Sequence, residues 1–248
     1  MEIVIHHRGE GLEWFSTVSP ATKRFIYSDV AQSTGDDGTS PPAGGLCSTY
    51  LTHIIKEYDN LSGPLVFTAG TPTKGLLGVL DSLQGISGFK EFGARELFFD
   101  DEGLPHFLGT PLLKKGCTIG GIYRELFSAE PPQIFYCRNG SSFVVEASIV
   151  RSHPVDFYEK CLELASELDA VEPGVAYGDL VFGRLWHQIF RTPTTNTKSE
   201  ILPGMNSPLA LERLMLLGPY VEAYLKARMR EDKTWGYRIL NKANEALG

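Results

Sequence analysis

No uninterrupted apolar stretch in this chain approaches the roughly 20 residues that a membrane-spanning helix needs, which argues against a helical membrane protein. Met1 leads directly into a strand-like run rather than a basic segment followed by an apolar one, so the chain reads as soluble and cytoplasmic, with no membrane partner. Cysteine is scarce. Cys47, Cys117, Cys137 and Cys161 sit far apart, with no CxxC pair and no histidine at finger spacing, which argues against structural zinc and for reduced, buried thiols. Positive charge is also short: 23 lysines and arginines face 30 acidic residues, and the net charge of -7 argues against broad electrostatic capture of nucleic acid, though a local basic patch stays open. No repeat is visible. With 42% hydrophobic and 21% charged residues in 248, the composition is that of a globular chain long enough to bury a real core.

What is present begins at once. Glu2 to Phe15 reads EIVIHHRGEGLEWF, an apolar run that passes into a polar cluster and then an aromatic pair. The run predicts a buried parallel strand whose carboxyl end delivers His6, His7, Arg8 and Glu10 to one mouth of a sheet, where α/β proteins take ligands. Lys23 to Asp29 predicts a second strand, and Leu65 to Thr68 a third. Between them Asp29 to Gly45 is a Ser/Gly/Asp/Pro-rich loop, and Ser48 to Asp59 is a helix. Tyr50, Leu51, Ile54, Ile55 and Tyr58 form its buried stripe, with His53 at the edge as a structural residue. Strand, helix, strand at this spacing implies parallel crossovers, with the tips at Arg8, Asp29 and Gly70 on one side.

Farther on, Leu76 to Leu83 predicts a short helix, Glu96 to Phe99 a strand and Tyr123 to Phe127 a helical turn. Ile134 to Tyr136 and Phe143 to Val145 read as two edge-like strands around a tight turn at Asn139, Gly140, Ser141 and Ser142. Pro154 opens a helix running to Leu168, and a further helix spans Gly178 to Phe190. The organisation expected is a main domain over 1–190, a loop or lid over 191–208 and a helical C-terminal extension over 209–248.

Several of these stretches together resemble a largely uncharacterised, mainly fungal family whose sequences read roughly ARYNEDLxWL, YNKG, GREAHTYLHHI, YDNLPD, VFLQG, GAQFAV, RPxEFY and ERLWxxIF. Their counterparts here are HHRGEGLEWF, YSDV, GGLCSTYLTHI, YDNLSG, VFTAG, GSSFVV, HPVDFY and GRLWHQIF, in the same order, over about three quarters of the chain. Taken singly each motif is weak; the ordered set is specific. That family looks like a member of the glycosyltransferase-A superfamily. The resemblance implies an α/β fold with a Rossmann-like, glycosyltransferase-A-type mixed sheet flanked by helices. It also implies a nucleotide-sugar donor, foremost a UDP-sugar, bound at the tips of the first strands and transferred to a hydroxyl-bearing acceptor. The chain departs from the pattern at four places: Gly45-Leu46 stands for Arg-Glu, Gly183 for the ERLW glutamate, Asp29 for the YNKG lysine and Ala69 for the FLQG glutamine.

Residue chemistry adds candidates. Arg8 can hold a phosphate by paired hydrogen bonds, Glu10 can accept from a base or ribose hydroxyl, and His7 stands between them. The alternative is that the three cap the strand and pair at the surface. Tyr27, Asp29 and Gly70 complete the donor side, with Asp29 equally able to form a turn through its own backbone. Asp100 and Glu102 in FFDDE resemble an acidic turn for Mn or Mg, which would neutralise a leaving diphosphate, but three adjacent acids also make a solvated turn.

Asp179 shares a helix face with Phe182 and Trp186, where partial desolvation suits a base that deprotonates an acceptor hydroxyl. A helix-dipole role for it is the alternative. Gly183, one turn on, leaves room beside it. His187 is a second candidate for the acceptor side or a packed residue, and the Asn139 to Ser142 turn would line the sugar or acceptor. The basic and aromatic residues around Trp235, from Lys226 to Lys242, form a patch that could touch nucleic acid, but Glu231 and Asp232 interrupt it and a solvated helix face is the default reading. Hence there are two alternatives to a general glycosyltransferase: one acting on hydroxymethylated bases in DNA, and an inactive nucleotide-binding scaffold of the same fold.

Overall fold

The computed structural model describes residues 1–28, 45–80, 88–98, 118–131, 135–172 and 174–190. Asp29, Asp100, Glu102, the segment 191–208 and the C-terminal residues 209–248 with their basic patch lie outside the described residues. The chain divides into two compact units, Met1–Gly93 with Arg138–Arg191, and Ala94–Cys137 with Thr192–Gly248. Within the second unit, a helix over Ile119–Phe127 is opened by Thr118, whose hydroxyl accepts from Gly121 N–H, and closed by Ser128 in the left-handed region (φ +51°). No described helix is long and apolar enough to cross a membrane.

The sheet begins with three parallel strands, β1 (Glu2–His7), β2 (Lys23–Ser28) and β3 (Pro64–Ala69). β1 lies between the other two, with His6 opposite Tyr27 on one side and Ala69 on the other. β4 (Phe89–Phe98) and β5 (Phe135–Glu146) complete the order β2-β1-β3-β5-β4, and β5 runs antiparallel to β3. The expected mixed α/β sheet is therefore present. Residues of β1 and β3 are almost wholly buried, as their continuous apolar runs require, whereas β2 at the end of the sheet is partly exposed.

Direction of travel decides which face each connection covers. The chain moves from β1 to its neighbour β2, then back across β1 to β3. Two right-handed crossovers in opposite directions must lie on opposite faces. The first, with a 3-10 helix at Glu13–Thr17, covers the face lined by Ile3, Ile5, Val66 and Val144, together with Phe15, Val18 and Leu76. The second is α1 (Leu46–Glu57), which packs over β1 on the other face.

Beyond α1 on that face stand α5 (Val155–Asp169) and α6 (Tyr177–Ile189); the short α2 (Lys74–Leu77), α3 (the Ile119–Phe127 helix) and α4 (Ala147–Val150) complete the described helices. Aromatics fill the core there: Tyr50 meets Phe67 at 5.0 Å, Phe67 meets Phe143 at 4.9 Å, and Trp186 stacks on Phe190 at 5.7 Å.

Two expectations need correction. The Asn139 to Ser142 segment is not a turn between edge-like strands. It lies inside one continuous strand, β5, placed between β3 and β4. A tight turn would pair the two halves of β5 with each other, whereas Phe143 to Glu146 pairs with β3 instead, and Ser142 Oγ bonds Thr68 Oγ1 at 2.9 Å inside the core. Second, His53 is not at the margin of the α1 stripe but fully buried, because α1 crosses β1 and presses that side of the helix onto the sheet.

Candidate functional site

Alternation along β1 sorts its polar end into two faces. His6 and Arg8, two residues apart, fall on the α1 side. His6 is 1% exposed, so it lies beneath the rim rather than on it. Arg8 Nε donates to His6 Nε2 at 2.8 Å, and His6 Nδ1 is 2.7 Å from Thr49 Oγ1 in the first turns of α1. His7 points the other way, with Nδ1 3.1 Å from Ser28 Oγ and Nε2 2.8 Å from the Glu10 carbonyl. It braces the tips of β1 and β2 rather than reaching outward.

The turn after Arg8 depends on Gly9, whose φ of +97° is a conformation that side chains oppose. It brings Glu10 back so that its carboxylate accepts from Arg8 N–H at 2.6 Å. Burial raises the Glu10 carboxyl, but hydrogen bonds from the Arg8 amide and from its own amide outweigh it, and the net shift is downward. The same carboxylate rests on Gly70: a Cβ there would stand 2.6 Å from Glu10 Oε2. Gly70 is held in turn by its N–H donating to the His6 carbonyl (2.9 Å) and by Trp14 Nε1 donating to its own carbonyl (2.8 Å). Tips of β1 and β3, and the chain between β1 and β2, thus meet at one glycine.

A second glycine shapes the other side. Gly45 is the N-cap of α1 and offers no capping side chain; Asp179 of α6 fills that role, its Oδ1 accepting from Cys47 N–H at 2.7 Å. A Cβ on Gly45 would stand 2.5 Å from both Asp179 oxygens. Asp179 Oδ2 faces Arg8 Nη2 at 3.4 Å, with the arginine side chain 48% exposed and the aspartate 21%. The dipole alternative is therefore realised for a different helix: Asp179 serves the N-terminus of α1 as well as lying in the first turn of α6.

Asp169, at the end of α5, repeats the device, accepting from Gly178 N–H of α6 at 2.7 Å. Burial raises its carboxyl above the ordinary range and the charge of Asp179 adds to this, against hydrogen bonds from Gly178 and Gly45 that lower it. Asp169 did not stand out in sequence, although a carboxylate at a helix C-terminus opposes the dipole and signals a partner elsewhere.

The structure brings Arg8, Glu10, Gly70 and Asp179 together and leaves other candidates apart. Tyr27 is buried, its hydroxyl 3.0 Å from His53 Nδ1. His187 lies eight residues beyond Asp179, about 12 Å along the helix, where its Nδ1 is 3.4 Å from the buried Glu91 carboxylate. Ser142 is sealed in the core, and the side chains of Asn139 and Ser141 lie outside what is described.

Gly183 does leave space: a Cβ there meets nothing within 4 Å. Cys47 and Cys161 are free and buried, and burial pushes the Cys161 thiol up to about 12. Among the described residues no three His, Cys, Asp or Glu side chains group as metal ligands. No protein-family model matches the chain, and no curated protein or solved structure matches it.

Proposed function

We propose that this protein is a glycosyltransferase of the glycosyltransferase-A type, moving a sugar from a nucleotide-diphosphate donor, a UDP-sugar, to a hydroxyl acceptor. One observation carries the reading. The chain leaves β1 in one direction and returns to β3 in the other, and the carboxyl ends of these parallel strands carry a half-exposed arginine beside the N-terminus of α1. Open α/β sheets bind ligands at such a reversal point. A guanidinium and a helix N-terminus both favour a phosphate there.

In this mechanism the Nη groups of Arg8 exchange their long contact with Asp179 for the diphosphate, which enters at the same place. Asp179, freed on Oδ2, takes the proton of the acceptor hydroxyl. The acceptor oxygen bonds to the anomeric carbon, the bond from that carbon to the diphosphate oxygen breaks, and the nucleotide diphosphate leaves with the electron pair beside Arg8. A divalent ion would neutralise the same leaving group.

A second reading, a nucleotide-binding protein without turnover, draws support from the engagement of both Asp179 oxygens, by Cys47 N–H and Arg8. Thermal-shift measurements with a panel of nucleotide sugars, with and without manganese, test the binding that both readings share. A donor at a hundred times its dissociation constant should stabilise the fold by about 2.7 kcal/mol. Arg8→Ala should abolish that shift, with the unliganded midpoint lowered by about 2–8 °C because the buried His6 Nε2 loses its donor. If no nucleotide sugar shifts the midpoint, or if Arg8→Ala shifts as wild type does, both readings fail.

A further inference from the structure

We infer that His6 is a positioning residue for Arg8, held as the neutral tautomer that carries its proton on Nδ1. Its functional consequence rests on the phosphate-binding reading of the rim; the tautomer does not. An arginine Nε carries a hydrogen and no lone pair, so at 2.8 Å from His6 Nε2 it must donate and the imidazole nitrogen must accept. A neutral ring then has its hydrogen on Nδ1, which donates to Thr49 Oγ1 at 2.7 Å. His6 is 1% exposed and Thr49 fully buried, so water has little access to replace either bond.

The outcome is a directed chain from α1 through β1 to the rim. Thr49 sets the ring, the ring holds Nε, and Nε fixes the plane of the guanidinium. Nη2 is thereby turned towards Asp179, where a phosphate would be met. An arginine already ordered before binding loses less rotamer freedom on binding. His6 touches no substrate in this scheme and acts only through Arg8.

Long-range proton–nitrogen NMR of the unliganded wild-type protein tests the assignment directly. The expected result is a pyrrole-type Nδ1, a pyridine-type Nε2 and an Arg8 Nε–H signal slowed in exchange. The opposite tautomer, or an imidazolium at neutral pH, overturns the inference.

Two variants separate hydrogen bonding from space filling. His6→Gln places an amide oxygen where Nε2 was and should keep the slowed Arg8 Nε–H signal, which His6→Leu should lose. With UDP as the calorimetric probe, His6→Leu should weaken binding about tenfold and His6→Gln should restore it to within about threefold of wild type. Equal losses in both variants, or none in either, would remove His6 from this role. Failure of the wild type to bind UDP would count against the nucleotide reading alone, and the Nε–H signals in the three proteins would still decide the positioning.

Discussion

The α1-facing side of β1 carries polar groups at both ends, and the two ends are built on opposite plans. At the amino end Glu2 is 2% exposed, and its Oε1 receives Lys23 Nζ at 3.1 Å and Ser62 Oγ at 3.2 Å. His53 Nε2 stands 3.9 Å from the other oxygen without a hydrogen bond. Burial, with Lys56 adding, pushes that imidazole down to about 4, so it is neutral at pH 7 and forms no ion pair with Glu2.

At the carboxyl end Arg8 is half-exposed, its pairing with Asp179 is long, and two glycines make room for the Glu10 and Asp179 carboxylates. The difference separates structural polarity from functional polarity. A group that is itself buried, as Glu2 and His53 are, contributes to the fold. A charged group at the rim whose ion pair is as long as 3.4 Å can change partners when a ligand arrives.

The largest effect is expected from Asp179→Asn. The amide oxygen still accepts from Cys47 N–H, so stability should change by less than about 1 kcal/mol. As the base of the transfer, Asp179 should take turnover down with it by about 10²- to 10⁴-fold. Donor-hydrolysis and transfer assays read this directly; nearly unchanged turnover would reduce Asp179 to a cap. Absence of any turnover in the wild type, with binding intact, would select the non-transferring protein.

The sealed end should respond to pH in stability. Below its usual value of 6.5 His53 is protonated in the unfolded chain, yet in the folded protein it stays neutral down to about 4. The unfolded state therefore binds more protons in that window. The stability present above pH 6.5 is lost as pH falls towards 4, by about 3 kcal/mol in all. Urea titrations across the window should show the slope in wild type, and His53→Asn should flatten it. An unchanged slope in the variant would assign the dependence to other groups.

The smallest effects come from glycines and should differ in sign. Gly45→Ala drives a methyl into the Asp179 carboxylate, so the α1 cap is disturbed and about 1 kcal/mol is lost. Gly183→Ala meets nothing within 4 Å and replaces a glycine inside α6, which should gain about 0.5–1 kcal/mol. Thermal midpoints moving in the same direction would contradict the close approach at Gly45.

Much of the fold was legible because its signals are local. Continuous apolar runs marked β1 and β3, and helical spacing marked α1, α5 and α6 to within two residues of their observed starts. β5 was misread because an Asn-Gly pair favours a turn only when its flanks pair with each other, and here one flank has β3 as a partner. Of the candidate site, Arg8, Glu10, Gly70 and Asp179 were legible from strand ends and helix position. Thr49, Asp169 and Gly45 were not, because their roles come from partners in other elements.

From the order of residues alone came the polar close of the first strand, the alternation that pairs His6 with Arg8, and the parallel crossovers; each follows from backbone geometry over a few residues. Tertiary packing decided that His6 is buried while Arg8 is half-exposed, and that Asp179 caps a helix 132 residues earlier in the chain. Burial and non-local hydrogen bonds depend on which elements touch, and no window along the chain contains both partners.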